Sequence, residues 1–140
     1  MNEGLKQLDP LVGEWMMESK KYPEGRGRTA VRATEDGKFL RLESSEESDK
    51  FPHSTLLIGS DAARDVCTVL YYDARDERRV YETRLAGGVW KMWREAPDFN
   101  QRFIGRISDD GKTIAGQWEM SRDGTNWEVD LDLTYTKVHG

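Results

Sequence analysis

Two neighbouring runs, Val89-Trp90-Lys91-Met92-Trp93-Arg94 and Asp98-Phe99-Asn100-Gln101-Arg102-Phe103, gather the side chains best suited to hold a small molecule. Successive residues of an extended chain point to opposite faces. Val89, Lys91, Trp93 and Glu95 therefore share one face of the first run, and Trp90, Met92 and Arg94 share the other. In the second run Phe99, Gln101, Phe103 and Gly105 share a face. An amide among aromatic rings on an inward face must be hydrogen-bonded, to protein, water or ligand. Aromatic walls with a few placed polar groups are how small-molecule pockets are built. The plainer alternative is that Gln101 satisfies a neighbouring side chain or a turn. Trp15, Met17 and Tyr81 are expected to complete the walls with Trp93, Phe99 and Phe103. Gln101 and one of Arg84, Arg94 or Arg102 are expected to orient a polar group, since an inward guanidinium can pair with a carboxylate through two parallel hydrogen bonds. Outward arginines paired across strands with Glu or Asp are the competing arrangement. Tyr72 and Tyr135 are further phenols that could face a lumen.

Other reactive side chains lack company. His53 and His139 are the only histidines, and a hydrolytic zinc site needs three protein ligands. Glu128, Asp130 and Asp132 form an acidic row opposite an apolar face, which reads as a solvated row and not a calcium site. Cys67 has no His and acid nearby in sequence and reads as a buried, inert thiol. Asp73, Asp76, Glu77, Glu43 and Glu46 show no spacing that assigns acid–base work. Neither a phosphate loop nor a dinucleotide fingerprint is present. No metal and no cofactor is called for.

The elements that position these residues are set by turns. Tyr22-Pro23-Glu24-Gly25, Glu35-Asp36-Gly37, Asp49-Lys50-Phe51-Pro52, the stretch 60–65, the stretch 73–77, Ala86-Gly87-Gly88, Ala96-Pro97-Asp98, Asp109-Asp110-Gly111 and Asp123-Gly124 divide the chain evenly. Asp-Gly between strand-like runs is a hairpin signal, because glycine accepts a positive φ. The strands predicted between them are 12–21, 26–34, 38–47, 53–60, 66–72, 78–85, 89–95, 99–107, 113–121 and 126–137. Connections this short join antiparallel neighbours and cannot carry a parallel crossover. Closure of such a meander into an up-and-down barrel removes its edges. The last strand is the clearest, with Trp127, Val129, Leu131, Leu133 and Tyr135 alternating with polar residues. Strand 66–72 is apolar on both faces, which suits a strand covered outside, as at a subunit contact. A short helical segment is predicted over Glu3 to Leu8, ending near Pro10. Gly13-Glu14-Trp15 then places a tryptophan where it can plug one end of a small barrel, with the glycine allowing close approach of the entering chain.

Bulk properties agree with one barrel domain spanning 1–140. A chain of 140 residues with 36% hydrophobic residues, five Trp, five Tyr and four Phe suits a sheet that is wet on one face. Its single cysteine excludes an internal disulfide framework. The net charge of −5 argues against nucleic acid, which requires a basic stripe. No apolar run reaches the roughly 18–20 residues of a membrane span. Met1-Asn2-Glu3-Gly4 opens without a basic and then apolar signal segment, so a cytoplasmic location is expected.

Several stretches together resemble a bacterial lipocalin-like family of calycin type with no established activity. They are Leu11-Val12-Gly13-Glu14-Trp15, Tyr71-Tyr72-Asp73-Ala74-Arg75, Arg79-Val80-Tyr81-Glu82, the run Trp93-Arg94 with Pro97 to Phe103, Ser108-Asp109-Asp110-Gly111, Gly116-Gln117-Trp118-Glu119 and Trp127 to Tyr135. The resemblance covers nearly the whole chain and implies an antiparallel calycin-type barrel. More distant are nitrobindin-like and fatty-acid-binding-protein-like barrels. The latter carry a helical lid between their first two strands and an Arg-x-Tyr pair on the last. Here the first two strands are separated only near Pro23 to Gly25, and the last reads Leu133-Thr134-Tyr135-Thr136-Lys137. Secreted lipocalins share Gly-x-Trp but usually have a signal peptide and a disulfide. Nitrobindin-like barrels ligate haem through a late histidine. His139 is late, but it is expected to lie past the last strand, where a frayed terminus offers iron no defined approach.

The function expected is binding of a small apolar or amphipathic molecule in the barrel lumen. Two alternatives stand beside it. One is a barrel enzyme, of isomerase or lyase type, on a hydrophobic substrate, which would need a titratable group with a shifted pKa in the apolar wall. The other is a barrel filled by its own side chains that acts as a homodimer through strand 66–72.

Overall fold

The structure, a computed structural model, describes residues 2–46 and 53–139. Ten strands follow one another: β1 (Gly13–Glu18), β2 (Gly27–Ala33), β3 (Phe39–Glu46), β4 (Ser54–Ser60), β5 (Cys67–Asp73), β6 (Arg78–Ala86), β7 (Val89–Arg94), β8 (Asn100–Ile107), β9 (Thr113–Ser121) and β10 (Glu128–His139). Each pairs antiparallel with its neighbours in sequence, and β1 also pairs with β10, so the sheet is a closed all-β barrel. Closure gives every strand two partners and removes the edges that an open meander would expose. The boundaries follow the predicted strands to within a few residues. The turn expected at Asp49-Lys50-Phe51-Pro52 lies outside the described residues.

The Asp-Gly turns show why the chain reverses where it does. In the β2–β3 hairpin Asp36 Oδ1 accepts from the Thr34 hydroxyl and the Lys38 N–H, while Gly37 takes φ +68°. The β8–β9 hairpin repeats this with Ser108, Asp110, Lys112 and Gly111 at φ +73°. An aspartate bonding its own backbone two residues on, followed by a glycine free to adopt positive φ, is a self-contained turn.

One end of the barrel is shut by a 3-10 helix over Glu3–Leu11. Leu5, Leu8 and Leu11 recur at intervals of three, the period of a 3-10 helix, and so form one row. All three are buried against the barrel core. The helix is longer than the predicted segment and continues past Pro10, whose fixed φ suits a 3-10 turn. Gly13 then turns the chain into β1 at φ +137°, a conformation open to glycine, and delivers Trp15 to the core.

β10 departs from its simple alternation. Leu131, Leu133 and Tyr135 pack toward the core, but a β-bulge between Val129 and Leu131 reverses the face upstream. Val129 is 51% exposed as a result, and the predicted apolar row stops at Leu131. β10 also runs further than expected, pairing His139 with Glu14 of β1, so the backbone there is in the ladder and not frayed. Among the described residues no helix is long and apolar enough to cross a membrane.

Candidate functional site

The barrel interior has two levels. Next to the helix, Trp15 is almost wholly buried, and its Nε1–H donates to the Leu11 carbonyl at 2.9 Å. Trp90 Nε1–H donates to the Thr83 hydroxyl at 2.9 Å, and that hydroxyl donates to the Lys91 carbonyl at 2.8 Å. Each indole thus has its one donor satisfied inside the protein. Trp15 is a plug, as its position in Gly-x-Trp predicted, and stands below the cavity instead of walling it.

Above this level a cavity of about 240 Å³ opens toward the strand ends remote from the helix. At roughly 30 Å³ per water this is the space of about eight waters. It lies just below the ~300–1,000 Å³ usual for drug-sized ligands. Its walls are Met17, Leu42, Leu56, Tyr71, Tyr81, Trp90, Met92, Phe103, Trp118, Leu133 and Tyr135, with Gln101, Ser44, Ser54, Arg79, Asp130 and Leu131 supplying the rest. The rings touch edge to face or tilted. Trp90–Phe103, Phe103–Trp118 and Tyr81–Trp118 centroids lie 5.0, 5.3 and 5.6 Å apart. Two glycines make the room for this. Gly105 and Gly116 are paired across β8 and β9. A Cβ at Gly116 would meet Phe103 Cζ at 2.5 Å, and one at Gly105 would meet Phe103 Cε2 at 2.8 Å. The Phe103 ring therefore lies against bare backbone and leaves the centre of the lumen open.

Buried polar groups in this wall are paired, Ser44 with the Thr29 hydroxyl at 2.9 Å and Tyr81 with Gln101. The Tyr81 hydroxyl donates to Gln101 Oε1 at 2.6 Å, and Gln101 is 6% exposed. No protein acceptor is in reach of Gln101 Nε2 among the described residues. Burial pushes the Tyr81 phenol up, against the opposing charges of Arg79 and Arg94. At the rim, burial alone would raise the Asp73 carboxyl. Hydrogen bonds from Arg75 Nη2, the Tyr71 hydroxyl and the Arg75 and Glu77 N–H groups outweigh it and hold the group well below the usual carboxylate range. Burial, followed by the bond to Asp73, raises the Tyr71 phenol. These groups are all moved away from neutrality, which is the opposite of what proton transfer at neutral pH requires.

The structure divides the expected site. Met17, Tyr81, Gln101 and Phe103 line the cavity, and Arg94 sits on the inner face at the rim. Arg84, Trp93 and Arg102 do not face inward. Arg84 pairs with Asp65 at 3.4 Å on the outer surface. Arg102 pairs with Glu119 at 2.8 Å and stacks 3.9 Å from the Trp127 ring centroid. Trp93 lies between Glu82 and Arg102 in the same outer row. The reason is parity: Trp90 and Met92 claim the inner face of β7, so their odd-numbered neighbours go out. Phe99 precedes β8 and stands at the lip, its ring 5.3 Å from the Arg79 guanidinium. Tyr72 is exposed on the outer face with Leu70 and Val80, while Tyr71 takes the inner position.

Arg79, Trp118 and the Tyr71–Asp73–Arg75 cluster are site residues that the sequence reading passed over. Arg79-Val80-Tyr81-Glu82 and Gly116-Gln117-Trp118-Glu119 entered the sequence analysis only through the family resemblance, with no role at the site. The repeated Gly-x-Trp spacing was the available signal for Trp118. Cys67 is buried as expected, and burial raises its thiol. His53 is exposed. Among the described residues no three His, Cys, Asp or Glu side chains gather as a metal site would require.

A closed, ten-stranded antiparallel barrel with an aromatic cavity open at one end is the class this chain falls in. No family model and no curated protein matches it. Among solved structures it is similar to the crystal structure of Rv2717c from M. tuberculosis, with a TM-score of 0.66 over 98% of each chain and 15% sequence identity. At that identity the likeness concerns the fold.

Proposed function

We propose that this barrel is a lipocalin-like binding protein that takes a small apolar or amphipathic molecule into its lumen. The observation that carries the reading is the cavity itself: about 240 Å³ of space, walled by rings and aliphatic chains, with the buried Tyr81–Gln101 pair among them. A barrel filled by its own side chains would place a ring where the paired Gly105 and Gly116 instead hold Phe103 back. The shut end and the open end also make one route of entry. The resemblance of the sequence to the lipocalin-like family agrees with this use of the fold.

Native mass spectrometry of protein purified from its host, compared with the denatured mass, tests the reading. A small extra mass is expected, released on unfolding. A second arm uses a fluorescent apolar probe, 1-anilinonaphthalene-8-sulfonate, and the lumen-filling variant Leu56→Trp. Uptake that Leu56→Trp abolishes while the barrel stays folded supports the lumen. Uptake unchanged by Leu56→Trp, with no extra mass, overturns it.

A further inference from the structure

Two arginines at the open end are held in an unusual state. Arg79, on the inner face of β6, lines the cavity with its side chain 22% exposed. Its guanidinium carbon is 5.7 Å from the Tyr71 ring centroid and 5.3 Å from that of Phe99. Arg94 ends β7 directly across from Gln101 and lies 5.8 Å from the Tyr81 ring centroid. Both guanidiniums act on the buried Tyr81 phenol, as hydrogen-bond donors and through their charge. The two cations thus converge on the buried Tyr81–Gln101 pair of the cavity wall.

Their acid partners are few. Arg79 reaches Glu77 at 3.8 Å, a half-exposed carboxylate at long range. Among the described residues no carboxylate lies within ion-pair distance of Arg94. Asp73, the nearest buried acid on β5, is already engaged by Tyr71, Arg75 and two backbone N–H groups. Arg84 and Arg102, on the outer faces of the neighbouring strands β6 and β8, differ from this pair in that each has an acid beside it on the surface. Ring faces stabilise the flat sides of a guanidinium without using its edge donors, and one phenol oxygen shared by two arginines takes only a few of the five donors that each presents. Two adjacent cations also repel each other until an anion lies between them.

We infer that the lumen ligand carries a compact carboxylate, seated at the mouth between Arg79 and Arg94 with its apolar body below against Trp118 and Phe103. This rests on the lumen-binding reading and narrows it. The guanidinium fork matches a carboxylate geometrically, and Gln101 Nε2 adds a neutral donor beside the same seat. Asp130 also lines the cavity, but on β10, three strands round the barrel from β7. It would repel the same group there, so the β6–β7 side is the favoured one. The space below the seat holds a short aryl or alkyl body.

Isothermal titration calorimetry with two matched probe pairs tests the seat: 3-phenylpropionate against 3-phenylpropanamide, and hexanoate against hexanamide. The carboxylates are expected to bind about tenfold or more tightly than the amides, since hydrogen bonds to charged groups are the strong ones. Their advantage should shrink as salt rises. Arg94→Gln and Arg79→Gln should each remove most of the carboxylate preference and leave amide affinity within about twofold. Arg94→Lys should restore part of it, because the charge returns without the fork. Arg106→Gln, an exposed site on the outer face, should change neither probe. Equal affinity of both members of each pair for the native barrel overturns the carboxylate seat and leaves the lumen reading standing. So does an Arg94→Gln loss shared equally by amide and carboxylate. No binding of any of the four probes overturns both.

Discussion

The two ends of this barrel are built by different physics. The helix end is dry: Leu5, Leu8, Leu11 and Trp15 are buried together, and the polar atoms there are bonded internally. The open end is wet and charged. Its side chains are arranged around donors and acceptors, namely the Tyr81–Gln101 pair, the Asp73 knot and the two arginines above them. Burial of apolar area at one end is non-directional and dominates stability. Hydrogen-bond geometry at the other end is directional and contributes less net stability, and in the proposed function it is what would select the ligand. Separating the two tasks lets the mouth carry weakly paired cations without endangering the fold.

Substitutions at the dry end are expected to have the largest effect. Leu8→Ala removes a fully buried side chain and is expected to cost about 2–5 kcal/mol in denaturant unfolding. Ligand affinity of the molecules that still fold should be unchanged, because Leu8 does not touch the cavity. A large affinity loss with little loss of stability would reverse the proposed division. Between the two levels, Gly116→Ala forces Phe103 into the lumen and is expected to cost roughly 1–3 kcal/mol as an overpacked site. Unlike Leu8→Ala, it should also reduce the uptake of an apolar probe in a fluorescence titration.

At the wet end, Gln101→Leu leaves the Tyr81 hydroxyl buried without its acceptor, at a cost of about 1–3 kcal/mol. Adding Tyr81→Phe should recover much of this loss, since both polar partners are then gone. A double-mutant cycle by chemical denaturation checks it, and purely additive losses would contradict the pair. The smallest effect concerns Asp132, which accepts from the Lys20 and Lys21 N–H groups and the Ser19 hydroxyl and ties the β1–β2 loop to β10. These bonds, the two backbone donors first, lower its pKa from 3.8 to about 2. A carboxylate depressed on folding contributes stability that is present above its unfolded pKa. That contribution is lost as pH falls through the folded value, here between roughly pH 4 and 2. Asp132→Asn should flatten this part of the acid-unfolding profile in circular dichroism and leave the neutral side alone.

Much of the fold was legible because its signals are local. Asp36-Gly37, Asp110-Gly111 and Asp123-Gly124 each make their turn from their own atoms, so nothing distant has to be known. The site was legible only in part. Val89 to Arg94 sorts correctly into two faces, but both faces carry a tryptophan, and nothing in the run tells which one is inside. Trp93 was therefore expected in the wall that Trp90 and Met92 occupy. Asp130 was read as solvated because a bulge adds one residue where strict alternation has none. Arg79 stood outside the expected wall because the β6–β7 hairpin sets the start of β6 beside the end of β7, while only the choice of inner face turns its side chain to the mouth and the lip at Phe99.

The sequence by itself determined the number of strands, their antiparallel order and the periodicity of each, because turn chemistry and alternation depend on residues a few positions apart. It also determined that Gly13 would precede a plugging Trp15. Only the tertiary structure decided which face of each strand is the lumen, where the bulge resets that face, and that Arg79 and Arg94 meet over Tyr81 and Gln101. The physical reason is that strand geometry has a period of two, and a period fixes which residues share a side without fixing which side is buried. That choice is made when ten half-apolar strands close on one another, and it belongs to the whole barrel at once.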